Sequence, residues 1–343
     1  AYEASDGYFH GTVQRFVEGE NGVGKGPYLQ VGLPFRTGSR GRNFFPGFEV
    51  EHPGFVHQEL AWQRLASNQE AANTLVATGT GSGKTECFLY PLLDHCVRAR
   101  KAGQVRGIKA LVIYPMNALA SDQARRFAEV IDRTPAFHGL RVGMYVGGGG
   151  GRPGSGTVMT PTEVITDRDA IRKAPPDILL TNYKMLDYLL IRPKDRKLWA
   201  YNAPDVLRYV VVDELHTFDG AQGTDLSMLL RRLRARLGTP DGHLIYTGTS
   251  ATLGDGDTAP LRGYARQIFG AEFPPESVVA ETRDTVAQFL DEEPIEFVLQ
   301  ARPDINDVLD PARYATPEAA VAGWFEVFFP EQPVPENVGD LAW

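Results

Sequence analysis

Two short stretches hold the residues best suited to chemistry: Lys84-Thr85 and Asp213-Glu214. An ammonium beside a hydroxyl suits phosphate oxygens and a hard divalent cation. Two adjacent carboxylates can hold such a cation and activate a water. Phosphoryl transfer needs little else locally than a metal, a positioned water and positive groups around the phosphate.

The surrounding elements support that pairing. Leu75–Glu86 reads L-V-A-T-G-T-G-S-G-K-T-E. The apolar run Thr74–Ala77 predicts a buried strand, Gly79, Gly81 and Gly83 a loop, and Lys84-Thr85 the start of an apolar-periodic helix. This is the layout of a phosphate-binding loop. Small residues let backbone N–H groups turn around phosphate oxygens, and the helix N-terminus adds its positive end. Thr80, Gly81, Ser82 and Gly83 would form the cradle, Lys84 would reach the β- and γ-phosphates, and the Thr85 hydroxyl would bind Mg²⁺. The strict pattern has Gly six residues before the lysine, where this chain has Thr78. The competing reading is a glycine turn that merely joins strand to helix.

Leu207–Phe218, L-R-Y-V-V-V-D-E-L-H-T-F, predicts an apolar strand delivering Asp213 and Glu214 at its C-terminal end. Ligand sites of open parallel sheets lie there. Asp213 would hold Mg²⁺ opposite Thr85, and Glu214 would orient and deprotonate the attacking water. The plain alternative is an acid pair capping the next helix. His216 fits a packed histidine or, better, a link between two sites. His243–Gly254 predicts a strand ending in the hydroxyls Thr249, Ser250 and Thr252, within reach of His216 and Asp213.

The bulk numbers agree. The chain has 343 residues, 43% of them hydrophobic, enough for one large domain plus attachments. Its two cysteines, Cys87 and Cys96, share one predicted helix, support neither a disulfide framework nor a four-cysteine zinc site, and suit a reducing cytoplasm. No signal peptide or apolar run near membrane-spanning length is present. A net charge of −8 argues against broad non-specific nucleic-acid affinity but permits a local basic groove. Because the chain starts at Ala1 and stops after an unfinished stretch, we expect a fragment of a larger protein.

Further strands are expected at Tyr8–Val17, Lys109–Tyr114, Arg141–Val146, Asp177–Leu180 and His243–Thr247. A short helix should start near Val56, and others should cover Lys84–Arg100, Asn117–Ile131, Lys184–Ile191, Asp219–Leu237 and Pro260–Phe269. Apolar strands alternating with helices predict an α/β fold with a mostly parallel sheet covered on both faces. The glycine-rich, aromatic segment 1–50 reads as loop-rich, with a solvated basic run at Arg36–Arg42. After residue 280 the chain turns acidic and loses the strand–helix rhythm. We therefore expect 1–50 as an accessory segment, 51–280 as the nucleotide-binding lobe and 281–343 as an acidic helical insertion or linker.

In this order the motifs resemble the superfamily 2 DEAD/DEAH-box helicases, which have two RecA-like lobes. The resemblance spans about 51–280, the first lobe. Lys84 and Thr85 match its motif I, Asp213-Glu214-Leu215-His216 its motif II, Ser250-Ala251-Thr252 its motif III, and Gln58 the glutamine that reads adenine. The glutamine assignment fits the chemistry, because an amide can pair with N6 and N7 of adenine. Tyr114–Gln123, Val146-Gly147-Gly148 and Ile178–Leu186 resemble the strand-contacting motifs. They imply Pro115, Asn117, Gly147, Gly148, Thr181 and Asn182 as contacts to a polynucleotide backbone. Within the superfamily the chain looks most like large bacterial helicases akin to the Hrq/Mrf-type and phage-defence (Druantia/DISARM-type) proteins.

The resemblance implies ATP as substrate, Mg²⁺ as cofactor, Lys84, Asp213, Glu214 and His216 as catalytic residues, and Ser250 and Thr252 as coupling residues. It implies single-stranded or duplex DNA, with RNA as the alternative, other protein subunits, a cytoplasmic location and no membrane. A non-motor, nucleotide-responsive clamp is the rival from another class. The second lobe, with its γ-phosphate arginines, has no counterpart here. An arginine finger is worth roughly 10³–10⁵ in rate, so this chain alone is expected to turn over very slowly.

Overall fold

The computed structural model describes residues 33–66, 71–79, 81–147, 156–250, 257–289 and 310–328. The chain divides into two compact units, Ala1–Asp284 and Thr285–Trp343.

The first unit is built on seven strands: β1 (Thr74–Ala77), β2 (Ala110–Tyr114), β3 (Val142–Tyr145), β4 (Ile178–Asn182), β5 (Tyr209–Val212), β6 (Ile245–Ser250) and β7 (Val278–Ala280). They run parallel in the order β3-β4-β2-β5-β6-β1-β7. Its helices are α1 (Val56–Leu65), α2 (Lys84–Lys101), α3 (Asn117–Arg133), α4 (Arg168–Lys173), α5 (Tyr183–Ile191), α6 (Gly220–Leu237) and α7 (Ala259–Phe269). Side chains alternate across the sheet. Leu111, Ile113, Leu179, Val210 and Val212 pack under α5, α6 and α7. Ala110, Val112, Leu180, Tyr209 and Val211 pack under α2 and α3. Burial of such side chains contributes roughly 1.5–3 kcal/mol each, and it fixes where the strand ends emerge.

Two elements escaped the sequence reading, α4 and β7. α4 has only six residues and is started by Asp167, which accepts the Ala170 N–H at 2.7 Å. β7 has three residues and follows two prolines, so no periodicity could mark it. It pairs with β1 and extends the sheet past the phosphate loop.

Residues 33–50 are irregular, yet they are built into this unit. Phe44 and Phe45 are buried, and Phe44 meets Trp62 at 5.2 Å between ring centres, while Phe48 meets Phe137 at 4.5 Å. The basic run is tied down by an acid: Glu59 accepts the backbone N–H groups of Ser39 and Arg40. The chain leaves the unit beside this segment, with Arg36 N–H on the Thr282 carbonyl and Asp284 N–H on Pro34.

The second unit has α8 (Val286–Phe289) and α9 (Pro317–Phe328) among its described residues. No described helix is long and apolar enough to cross a membrane. The expected strand Tyr8–Val17 lies outside the described residues.

Candidate nucleotide and nucleic-acid site

β1 ends at Ala77, and the loop to α2 turns through two left-handed glycines, Gly81 (φ +78°) and Gly83 (φ +72°). A Cβ on Gly83 would stand 2.3 Å from Gln58 Nε2, so a side chain there would strain the left-handed backbone and push the Gln58 amide off the Gly83 carbonyl. Thr78, the departure from the strict motif, is fully buried, and its hydroxyl lies 2.7 Å from that of Ser82. Ser82 also reaches the Gly79 carbonyl at 2.8 Å, so the two hydroxyls tie the base of the loop together.

Helix α1 grips the loop from outside. His57 Nε2 donates to the Ser82 carbonyl (2.8 Å), Gln58 Nε2 to the Gly83 carbonyl (3.1 Å) and Trp62 Nε1 to the Glu86 carbonyl (2.8 Å). In a trans peptide the C=O and the following N–H point opposite ways. Holding the carbonyls of Ser82 and Gly83 outward therefore aims the N–H groups of Gly83 and Lys84 away from α1, as an anion cradle requires. Burial pushes the His57 pKa down against the Ser82 hydrogen bond and the Glu281 charge, which favours a neutral ring. From the end of β7, Glu281 accepts the Gly79 N–H at 2.7 Å.

Opposite stands the end of β5. Asp213 is 6% exposed and continues the ladder through its N–H to Ile113. Burial raises its carboxyl pKa, the neighbouring Glu214 adds to this, and the Thr249 hydrogen bond and the Lys84 charge oppose it. Thr249 donates to Asp213 Oδ1 and accepts the Glu214 N–H at 2.9 Å. Glu214 sits at φ 50°, ψ 51° and is the single non-glycine residue with positive φ among the described residues. That conformation costs roughly 1–2 kcal/mol, a strain of the kind that clusters at functional positions. Lys84 Nζ lies 3.2 Å from Glu214 Oε1, His216 Nδ1 3.5 Å from Glu214 Oε2, and Ser250 Oγ 3.3 Å from His216 Nδ1. Thr85, Lys84, Gln58, Asp213 and Glu214 line one cleft of about 780 Å³.

The structure thus brings the expected Lys84, Thr85, Asp213, Glu214, His216 and Ser250 together. Thr80, Gly148 and Thr252 lie outside the described residues. Gln58 lines the cleft, but both ends of its amide are engaged: Oε1 accepts the Phe55 N–H at 2.9 Å and Nε2 holds Gly83. A contact with adenine would require it to exchange one of these partners. Sequence reasoning missed His57, Trp62 and Glu281. His57 adjoins Gln58, but its bond to a loop 25 residues away left no local signal.

The cation donors suit Mg²⁺. Thr85 and Asp213 offer hard oxygens, and no group of three or more His, Cys, Asp or Glu able to hold a metal occurs among the described residues. Mg²⁺ is held in this way, by one or two carboxylates with phosphate oxygens and waters rather than by an all-protein cage.

The ends of β2, β3 and β4 form the second face. Asn117 Nδ2 donates to the Gly147 carbonyl (3.1 Å), and Asn182 Nδ2 donates to Asn117 Oδ1 (2.6 Å). Asn182 Oδ1 caps α5 through the Met185 N–H at 2.7 Å. Pro115, Gly147 and Asn182 border a common cleft. Thr181 departs from expectation. It is fully buried and its hydroxyl is spent on the Tyr145 carbonyl at 2.6 Å, so it braces β3 against β4 instead of presenting a donor.

Among curated proteins, the Druantia protein DruE of Escherichia coli (strain UMEA 4076-1) is 26% identical over 58% of this chain and 16% of its own length. The uncharacterized ATP-dependent helicase YprA of Bacillus subtilis (strain 168) is 30% identical over 58% of this chain and 23% of its own. The solved structure of the DUF1998 helicase MrfA bound to DNA superposes with a TM-score of 0.47 at 26% identity, over 66% of this chain and 27% of that one. This chain therefore spans under a third of the length of these relatives. The family model of the DEAD/DEAH box helicases matches residues 56–259, from α1 through the phosphate loop and the Asp213-Glu214 strand end to the start of α7, and the chain belongs to that family.

Proposed function

We propose that this chain is the first motor lobe of an ATP-dependent DNA helicase or translocase whose second lobe lies elsewhere in a longer protein. The observation that carries this reading is the convergence of Lys84, Thr85, Asp213 and Glu214 on one cleft, with Asn117, Gly147 and Asn182 at other strand ends of the same sheet. ATP would enter the cleft with its β- and γ-phosphates toward the Gly83 and Lys84 N–H groups. Lys84 would exchange Glu214 for phosphate oxygen, which frees the Glu214 carboxylate to orient and deprotonate the attacking water. Thr85 and Asp213 would hold Mg²⁺, which when bound neutralises charge developing on the phosphates. His216 and Ser250 would relay the state of the γ-phosphate to β6. On the other face, Asn117, Gly147 and Asn182 would hold the sugar-phosphate chain, a contact that does not read sequence. The second lobe would supply the missing arginines, so this chain alone binds ATP weakly and turns over very slowly. A place in phage defence or genome maintenance is the finer part of this proposal and rests on the sequence resemblance to Druantia-type and Hrq/Mrf-type helicases.

The test is ATPase activity of the full-length protein with single-stranded DNA, duplex DNA and RNA at matched salt. Stimulation by DNA and its loss in Glu214→Gln support the motor. Stimulation by RNA alone would reassign the substrate. Full biological activity of Glu214→Gln would leave a nucleotide-responsive clamp.

A further inference from the structure

We infer that the cleft beside Asn182 holds an unpaired nucleobase, so that this face grips a base as well as the backbone. The inference rests on reading this sheet edge as a polynucleotide track. The cleft, about 340 Å³, is walled by Pro115, Asn182, Tyr183, Lys184, Tyr188 and Gln222. Such a lining is unlike a pure phosphate site. It offers two aromatic rings and a proline for a flat, apolar surface, and a side-chain amide for a base edge.

The two rings are held differently. Tyr183 is fixed edge-on against Phe218 at 5.6 Å between ring centres and 88° between planes. Phe218 itself is buried, four residues beyond Glu214. Tyr188 is 48% exposed on the solvent side of α5, the side that also carries Ile191 at 59%. The Arg192 guanidinium lies 4.1 Å from its centre and steadies it. Tyr188 also borders a second cleft of about 390 Å³ with Asp225, Met228 and Arg232, a cleft that Tyr183 and Lys184 line too. Exposed Met228 adds apolar surface to the second cleft. A ring fixed by a cation and flanked by hollows is a platform for stacking, and every base has a face to stack. The adjoining Asn117–Gly147–Asn182 network lies within reach of the same nucleotide's phosphate, since Asn182 belongs to both.

The experiment measures binding by the full-length protein of a fluorescein-labelled oligothymidine and of a strand of equal length made of abasic residues, at one salt concentration. Tyr188→Ala is expected to weaken binding of the base-bearing strand by about 5- to 150-fold, the usual cost of removing one stacking partner. It should leave the abasic strand unaffected, and Tyr188→Phe should restore wild-type binding. Because Tyr188 is half exposed, the variants should melt with the wild type, and melting curves check this. Equal losses on both strands, or loss on neither, would overturn the inference and leave Tyr188 to a protein-docking role. Wild-type protein that binds neither strand, as DNA or as RNA, would instead overturn the nucleic-acid reading beneath it. Asn117→Ala separates the two: it should weaken both strands alike.

Discussion

The contact between Lys84 and Glu214 implies that Glu214→Gln tightens nucleotide binding while it stops hydrolysis. At 3.2 Å and an effective dielectric of about 20, the bare attraction of the two charges is about 5 kcal/mol. Most of that is offset by lost hydration, because the side chains keep only 12% and 26% of their exposure. Partly exposed pairs of this kind retain a net value of about 0.5–1 kcal/mol. Nucleotide must displace the pair to engage Lys84, so removing the Glu214 charge should lower Kd by about two- to fivefold. Loss of repulsion between Glu214 and a γ-phosphate would also favour ATP. ADP has no γ-phosphate, yet its β-phosphate still needs Lys84. The decisive assay is therefore displacement of a fluorescent ADP analogue from the purified wild-type and Glu214→Gln proteins. Tighter ADP binding, with the gap narrowing as salt rises, is the expected result. Unchanged or weaker ADP binding would refute the argument that Lys84 is held in reserve by Glu214.

Three further outcomes follow from buried groups. Burial, with Arg98, Arg208, Lys109 and His243 nearby, pushes the His95 pKa from 6.5 down to about 3. The folded state then refuses a proton that the unfolded chain accepts below about pH 6.5, so stability falls with pH, by about 2 kcal/mol at pH 5. His95→Phe, which keeps the edge-on contact with Tyr209, should flatten this slope in urea midpoints measured at pH 7 and pH 5. Thr249→Val strands the Glu214 N–H and a buried oxygen of Asp213, which should cost about 2–3 kcal/mol and lower Tm by several degrees. Thr78→Ala leaves Ser82 its bond to Gly79 and should cost only about 1 kcal/mol in chemical denaturation; a loss above 3 kcal/mol would mean the Thr78 hydroxyl does more than tie the loop.

What could be read from the residues depended on how locally each feature is encoded. β2, β4 and β5 are buried on both faces, so they appear as continuous apolar runs and were legible. β7 was not, because three edge residues carry no period. The groups that meet in the cleft were legible because their positions are tied to strand ends: Lys84 follows β1 and Asp213 follows β5. The grip of α1 on the loop was not, since His57 and Trp62 act on carbonyls 25 and 24 positions away, and Glu281 reaches Gly79 across 202 positions. Thr181 misled for a related reason. Its place before Asn182 suggested an exposed donor, but it still lies within the stretch of β4 that is buried on both faces, whereas Asn182, at the strand end, is half-buried.

Alternation along the strand separates the two hydroxyls that end β6. Thr249 is fully buried and clamps Asp213 and the strained Glu214 backbone from within. Ser250, one residue on, faces the other way and meets His216. One strand end therefore holds both the carboxylate that would carry the metal and the histidine beside Glu214. Glu214 cannot relax from its left-handed conformation without breaking the Thr249 bond, and a shift of β6 that moves Thr249 must move Ser250 as well. When Lys84 leaves Glu214 for phosphate, the freed carboxylate has His216 as its remaining close cation-capable neighbour among the contacts described. In the proposed cycle the change would thereby pass to Ser250. Ser250→Ala should accordingly preserve nucleotide affinity and basal hydrolysis by the full-length protein while reducing stimulation by nucleic acid, because it removes the relay and leaves the Thr249 clamp in place. Equal loss of basal and stimulated rates would place Ser250 in the chemistry instead.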